Sequence, residues 1–239
     1  MKFKRLTCLF IVTVFSLALA VPALSGVSLE SVDASEKGAK KLNEAVRVVE
    51  EIIALNESGE TGIPPRILRT AHGIAIIPGA LKASLGIGGR YGKGALLVLR
   101  EDGAWSAPIF ITIAGGSLGF QVGAQSTDII LVFNEAKSIK GVSKGKFTFG
   151  VDATISAGDV GRHVEASTDE RAKAEIYSYS MSRGLFVGVS LEGGVLDIDE
   201  KLNSDYYGLS AVDLIAGGSE SVPAPASKLK RAVKGYVSK

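Results

Sequence analysis

Trp105–Gln125, WSAPIFITIAGGSLGFQVGAQ, decides the reading of this chain. Ile109, Ile111 and Ile113 share one parity, and Leu118, Phe120, Val122 and Ala124 alternate with Gly119, Gln121 and Gly123. A period of two marks half-buried β-strands rather than helix. Between the two runs lies Ala114-Gly115-Gly116-Ser117, rich in residues that tolerate a left-handed backbone, so the stretch predicts two strands joined by a hairpin turn. Glycines inside the second run predict a bend, a bulge or a close backbone approach.

Outward from this stretch, glycine continues to set the pattern. Of the 29 glycines, 22 fall between Gly73 and Gly208 without a three-residue period, which punctuates short strands and excludes a collagen-like fibre. Strands are predicted at Gly73–Ile77, Ala83–Gly89, Ala95–Arg100 and Thr127–Phe133. Another is predicted at Lys146–Ala157, where Phe147, Phe149, Val151, Ala153, Ile155 and Ala157 share one face. Two more are expected near Glu175–Met181 and Leu185–Leu191. Charged residues at 22% and hydrophobic residues at 46% are those of a globular domain.

Both ends differ from this middle. Lys2, Lys4 and Arg5 precede an apolar run from Leu6 to Ala20, followed by small residues suited to cleavage, so residues 1–25 read as a secretory signal and 26–239 as one domain. Extended to Leu24, the run would just span a bilayer, with Pro22 near its end opposing that alternative. Loss of the segment removes Cys8, the only cysteine, and takes 27 basic residues to 24 against 25 acidic ones. The net charge becomes −1, which removes the main support for nucleic-acid binding. The expected location is outside the cytoplasm, in the periplasm, free or peripheral on a membrane.

Ser35–Asn56 reads as an amphipathic helix. Ala39, Leu42, Val46, Val49 and Ile53 recur at three- and four-residue intervals, widened by Ala45 and Ile52. Lys37, Lys40, Lys41 and Arg47 fall within an arc of roughly 120° on the other side. Such a helix either packs its stripe on the domain core with its lysines solvated, or touches a membrane directly. A short helix is expected at Arg66–His72 and another at Ser210–Ala216. After Pro223 and Pro225, a last helix carrying Lys228, Lys230, Arg231 and Lys234 is expected with Ser227 as its cap.

Chemical motifs are weaker. Gly115-Gly116-Ser117-Leu118-Gly119 fits the nucleophile-elbow pattern, but that chemistry needs a strand, a sharp turn and then a helix. Alternation continues after Ser117, and His163 is the only histidine downstream, so a serine hydrolase is the least favoured function. Gly86–Tyr91 lacks the third glycine of a dinucleotide loop, and Gly141–Lys146 is one residue short of a phosphate loop; both read as turns. Asp197, Asp199, Asn203 and Asp205 lack the order of a calcium loop. His72 and His163 form no spaced ligand pair, so neither metal nor cofactor is expected.

Several segments together carry a resemblance. Ile63-Pro64-Pro65, Ala71–Pro78, GIGGRYGKG at Gly86–Gly94, DGAWSAPIF at Asp102–Phe110, Gly115–Gln125, Ser178–Leu196 and Asn203–Gly208 resemble, in order and spacing, the SYLF-domain family. The resemblance spans about Ser35–Leu229. It implies a module that binds anionic phospholipids, with an N-terminal amphipathic helix as membrane element, and it places that role on Lys37, Lys40 and Lys41, with Arg47 on the same arc. Phosphoinositides and actin, ligands of eukaryotic members, are not carried over, because an exported bacterial chain would not meet them. The alternative function is a structural or protein-interaction module without catalysis, its protein partner unidentified. The expected fold is α+β: a glycine-rich, mostly antiparallel, curved or barrel-like sheet with an N-terminal amphipathic helix and short C-terminal helices.

Overall fold

The computed structural model describes residues 29–58, 62–160, 174–182, 185–218 and 222–238. The proposed signal segment and His163 lie outside these residues. The fold is α+β, as the sequence predicts. Its elements run α1 (Leu29–Ser58), α2 (Pro65–Arg69), β1 (Gly73–Val98), β2 (Ile109–Phe133), α3 (Ala136–Val142), β3 (Phe147–Thr148) and β4 (Ile155–Ala157). They continue with β5 (Ile176–Ser182), β6 (Leu185–Gly188), β7 (Val195–Ile198), α4 (Glu200–Tyr207), α5 (Ala211–Ala216) and α6 (Ala224–Val237). The sheet order is β3-β7-β2-β5-β4, with β1 paired to β2 and β6 paired to β5. Between these described strands every pairing is antiparallel except β4 with β5.

The hairpin expected inside Trp105–Gln125 is not there. β2 runs unbroken through Ala114–Ser117 and on to Phe133, and its partner β1 absorbs all three strands expected between Gly73 and Arg100. The two pair from Gly73 with Phe133 to Leu96 with Ile109, so the true hairpin connection is residues 99–108. The reason is cross-strand: Gly89 sits opposite Gly116, Gly88 opposite Ser117 and Gly86 opposite Gly119. Neither Gly115 nor Gly116 has a positive φ, which a tight hairpin turn would require. For the same reason Gly86–Tyr91 is strand rather than turn. Register shifts at Ile77/Ala80 and Leu85/Gly86 bend the ribbon.

Two glycines let the ribbon curl back on itself. A Cβ on Gly94 would overlap the Ile76 carbonyl oxygen and lie 2.8 Å from Ile77 Cα, and one on Gly92 would lie 2.6 Å from Ile77 Cγ2. The two ends of β1 are thereby in contact, and the Leu99 N–H donates to the His72 carbonyl at 2.8 Å where they meet. The result is a strongly curled half-barrel with apolar residues on both faces. The inner face holds Ile77, Ala80, Leu96, Ile111, Ile113, Leu131 and Phe133, closed by Ile139, Phe147, Phe149 and Leu214. The outer face holds Ile74, Ile76, Ile130, Val132, Tyr177 and Tyr179, covered by α1, α2 and α6. Along residues 115–127, β2 pairs only with β1 among the described residues, which form a two-stranded ribbon between the β7 and β5 pairings.

Other elements refine the expectations. α1 extends beyond Ser35–Asn56 at both ends, and buried Ala34 carries its stripe further. Lys146–Ala157 is not one strand: Gly150, at φ 83°, turns the chain between β3 and β4 and leaves Val151 80% exposed. α6 begins at Ala224 after Pro223, so Ser227 lies inside it, donating to the Val222 carbonyl rather than capping. α5 matches its prediction and carries a capping box between Ser210 and Asp213. Replacing Gly94 by alanine is expected to cost at least about 2 kcal/mol in urea unfolding, because backbone must move. Gly116→Ala, whose Cβ meets nothing within 4 Å, is expected to stay within about 0.5 kcal/mol of the parent.

Candidate functional site

The apolar stripe of α1 is core. Leu42, Ala45, Val46, Val48, Val49 and Ile52 are buried against the outer face of the sheet and α6. At roughly 1.5–3 kcal/mol per large apolar side chain, pulling out Leu42, Val46, Val48, Val49 and Ile52 would cost about 10 kcal/mol. That is comparable with the whole stability of a typical domain. The helix is therefore held by its packing, and what it offers to a ligand is its opposite face.

That face forms one wall of a groove of about 630 Å³ between α1 and α4. Its rim carries Lys37, Lys40 and Lys41 from α1, Lys93 from β1 and Lys201 from α4; its floor includes Ala34, Phe110, Ile111 and Leu202. Acidic partners temper the rim. Lys37 pairs with Asp33 at 2.5 Å, Lys41 with Glu44 at 2.7 Å, Lys93 with Asp199 at 2.9 Å and Lys201 with Asp205 at 2.7 Å. The hydrogen bond to Asp199 is the main reason the Lys93 pKa lies above that of an ordinary lysine. Lys40 is exposed and has no ion-pair partner among the described residues. The groove thus presents five cations against four carboxylates over an apolar floor.

Arg47, expected beside these lysines, points elsewhere. It bonds Glu51 at 2.8 Å and Asp128 of β2 at 3.1 Å, beside a second groove of about 1030 Å³ shared with Lys41 and Glu44. Lys37, Lys40 and Lys41 are brought together; Arg47 is tied down by carboxylates. Lys93 and Lys201 were missed by the sequence reading, because one sits on a strand and the other on a helix that it did not assign. Asp199 and Gly208 could have revealed that helix: Asp199 caps α4 by accepting from the Leu202 N–H, and Gly208 ends it at φ 70°.

Asp197, Asp199, Asn203 and Asp205, which run from β7 into α4, do not form a ligand cluster. Asp199 pairs with Lys93, Asp205 with Lys201, and Asn203 is buried. The Asn203 amide closes a two-way bond with β2: the Phe110 N–H donates to its Oδ1 at 2.8 Å, and its Nδ2 donates to the Phe110 carbonyl at 3.1 Å. Phe110 also meets Tyr206 edge-to-face at 5.3 Å, and Tyr207 donates to the Pro108 carbonyl at 2.8 Å. Gly38 lets α1 settle on this cluster, since a Cβ there would lie 2.7 Å from Tyr206 Cε2 and 3.0 Å from Phe110 Cζ. Ser117 lies in the unbroken β2 strand, without the turn and helix of a nucleophile elbow. No group of three potential metal ligands occurs among the described residues, and no described helix is long and apolar enough to cross a membrane.

Curled sheet, docked helix and lysine-rimmed groove together define a helix-flanked, glycine-rich half-barrel domain with a lysine-rimmed surface groove. The family described as "Las17-binding protein actin regulator" matches residues 114–236, and the chain belongs to this Ysc84, or SYLF-domain, family. It is 35% identical over 193 residues to protein YSC84 of Saccharomyces cerevisiae, covering 78% of this chain and 41% of that protein. It is 33% identical over 204 residues to SH3 domain-containing YSC84-like protein 1 of Homo sapiens, covering 84% and 59%. LAS seventeen-binding protein 3 of Saccharomyces cerevisiae is 40% identical over 149 residues, covering 61% and 32%. The chain thus spans between a third and three fifths of these relatives' length. Asn203→Ala would leave the Phe110 N–H without its partner and loosen the α4 wall. An expected loss of about 2–4 kcal/mol is checked by thermal unfolding.

Proposed function

We propose that this chain is a lipid-binding module that sits on anionic phospholipid membranes, acting by binding rather than catalysis. The observation that carries this reading is the groove's composition: Lys37, Lys40, Lys41, Lys93 and Lys201 rim an apolar floor. A cationic rim over an apolar floor suits an amphiphile with an anionic headgroup, and each lysine near such a surface contributes about 1 kcal/mol. Because the α1 stripe is buried, the helix contributes its lysines while its apolar residues stay in the core. The export-signal reading of residues 1–25 supports a periplasmic location, where the bound surface would be that of an enclosing membrane.

A second reading has its own support. The yeast relative's name, LAS seventeen-binding protein 3, points to a protein ligand for that protein, and a protein-interaction role for this chain is the alternative. Mixed charge on the groove would suit either surface. Co-sedimentation with vesicles separates them. The purified chain is expected to bind phosphatidylcholine vesicles containing phosphatidylglycerol and not neutral ones, with binding falling as salt rises. Replacing Lys37, Lys40 and Lys41 together by glutamine is expected to weaken binding about a hundredfold. Equal recovery with neutral and anionic vesicles, or none with either at low salt, would rule the lipid reading out.

A further inference from the structure

A second basic site lies on the other face of the sheet. Where the β1–β2 ribbon leaves the half-barrel, a cavity of about 370 Å³ opens between the ribbon and the turn before β7. Its apolar lining includes Ile113, Phe149 and Leu191, which belong to the inner core. Its cations are Lys82 and Arg90, both half-buried and both from β1. The inner-face neighbours Ala80 and Gly92 lie two positions from them along the strand, so the curl that brings Gly92 against Ala80 also turns Lys82 and Arg90 toward one space.

Arg90 stands apart from comparable arginines. The half-buried arginines among the described residues are Arg66, Arg90 and Arg100. Arg66 pairs with Asp159 at 3.0 Å and Arg100 with Asp102, whereas Arg90 has no carboxylate partner among the described residues. Its Nε, like that of Arg66, is buried without a hydrogen-bond partner, but Arg66 has a carboxylate on its other nitrogen and Arg90 does not. Opposite it on β2 is Gly115, with no side chain to cover the guanidinium. Burial lowers the Arg90 pKa from that of an ordinary arginine, as expected for a cation that gives up water without gaining a counter-charge. Glu192, the one carboxylate on the cavity wall, is exposed and lies toward Gly150, where its Cγ is 3.6 Å from the Cβ position of that glycine. It forms no ion pair with either cation.

We propose that this cavity is a binding site for a phosphate monoester group, with the Arg90 guanidinium and the Lys82 ammonium as its cationic ligands. A guanidinium fork and an ammonium carry two positive charges, which one dianionic phosphate neutralises and one carboxylate does not. Inorganic phosphate and a phosphomonoester lipid present the same terminal dianion, and the two arms of the test distinguish them. The site is separate from the α1–α4 groove and does not rest on the function proposed for it.

The test titrates the purified full-length chain with inorganic phosphate at constant ionic strength. A second arm uses phosphatidylcholine vesicles containing phosphatidic acid, compared with phosphatidylglycerol vesicles of equal surface charge. Binding with a dissociation constant of about 1 mM or tighter is expected in at least one arm. Arg90→Met is expected to weaken it by about tenfold or more, and Lys144→Met, at an exposed lysine outside both sites, to leave binding unchanged. If Arg90→Met does not fold, Lys82→Met carries the test with the same expected direction. Response to free phosphate alone assigns a soluble ligand, and preference for phosphatidic acid alone assigns a lipid; both support the site. No binding in either arm, or binding that survives the cavity substitutions intact, overturns it.

Discussion

The constraint on which the structure depends is the absence of side chains at Gly92 and Gly94. Two strands of 26 and 25 residues are too long to stay flat, and the ribbon they form must bend to bury apolar residues on both faces. Contact of β1 with itself at Ile76 and Ile77 is what the bend achieves, and any Cβ at Gly94 would collide with backbone that cannot swing aside. From that closure follow an inner core centred on Phe133, Phe147 and Phe149 and an outer core that receives α1 and α6. Both candidate ligand sites are consequences of it. One lies where α1 and α4 meet over the start of β2, and the other where the ribbon leaves the curl.

The position of α1 separates two ways in which an amphipathic helix can serve a membrane. A helix that inserts its apolar face must first give up whatever that face already touches, and here it touches the sheet and α6. Leu42 and Val48 are wholly buried, so insertion would exchange one apolar environment for another while opening the core behind it. Lysines held on a docked helix need no such rearrangement. Under the proposed function their attraction would be weak individually and would depend on number, so that Lys93 and Lys201 from other elements would add to it.

Much of this was legible in the sequence, and the errors share one cause. Helix α1, its buried stripe and its basic arc follow from local periodicity, and so do β5 and α5. The Ala114–Ser117 stretch misled because a glycine pair between alternating runs normally marks a turn, while the partner glycines at Gly86–Gly89 lie some thirty residues earlier. Only pairing the two glycine runs with each other reveals a continuous ribbon. Similarly, Lys146–Ala157 alternates well enough to hide the turn at Gly150. Of the candidate site, Lys37, Lys40 and Lys41 were readable from a helical wheel. Lys93, Lys201 and the apolar floor were not, because they come from elements joined only by tertiary contacts, and Arg90 was visible only as part of a failed nucleotide motif.

Hydrogen exchange in α6 tests the central claim directly, since α1 packs on that helix and Leu229, Val233 and Tyr236 share a core with the α1 stripe. Exchange is measured free and with anionic vesicles, in a sample whose vesicle binding is verified by sedimentation. If α1 stays docked and only its lysines meet the headgroups, the α6 amides keep their protection when the chain is bound. Loss of α6 protection on the vesicles would show that the helix leaves the core to bind, contradicting the account.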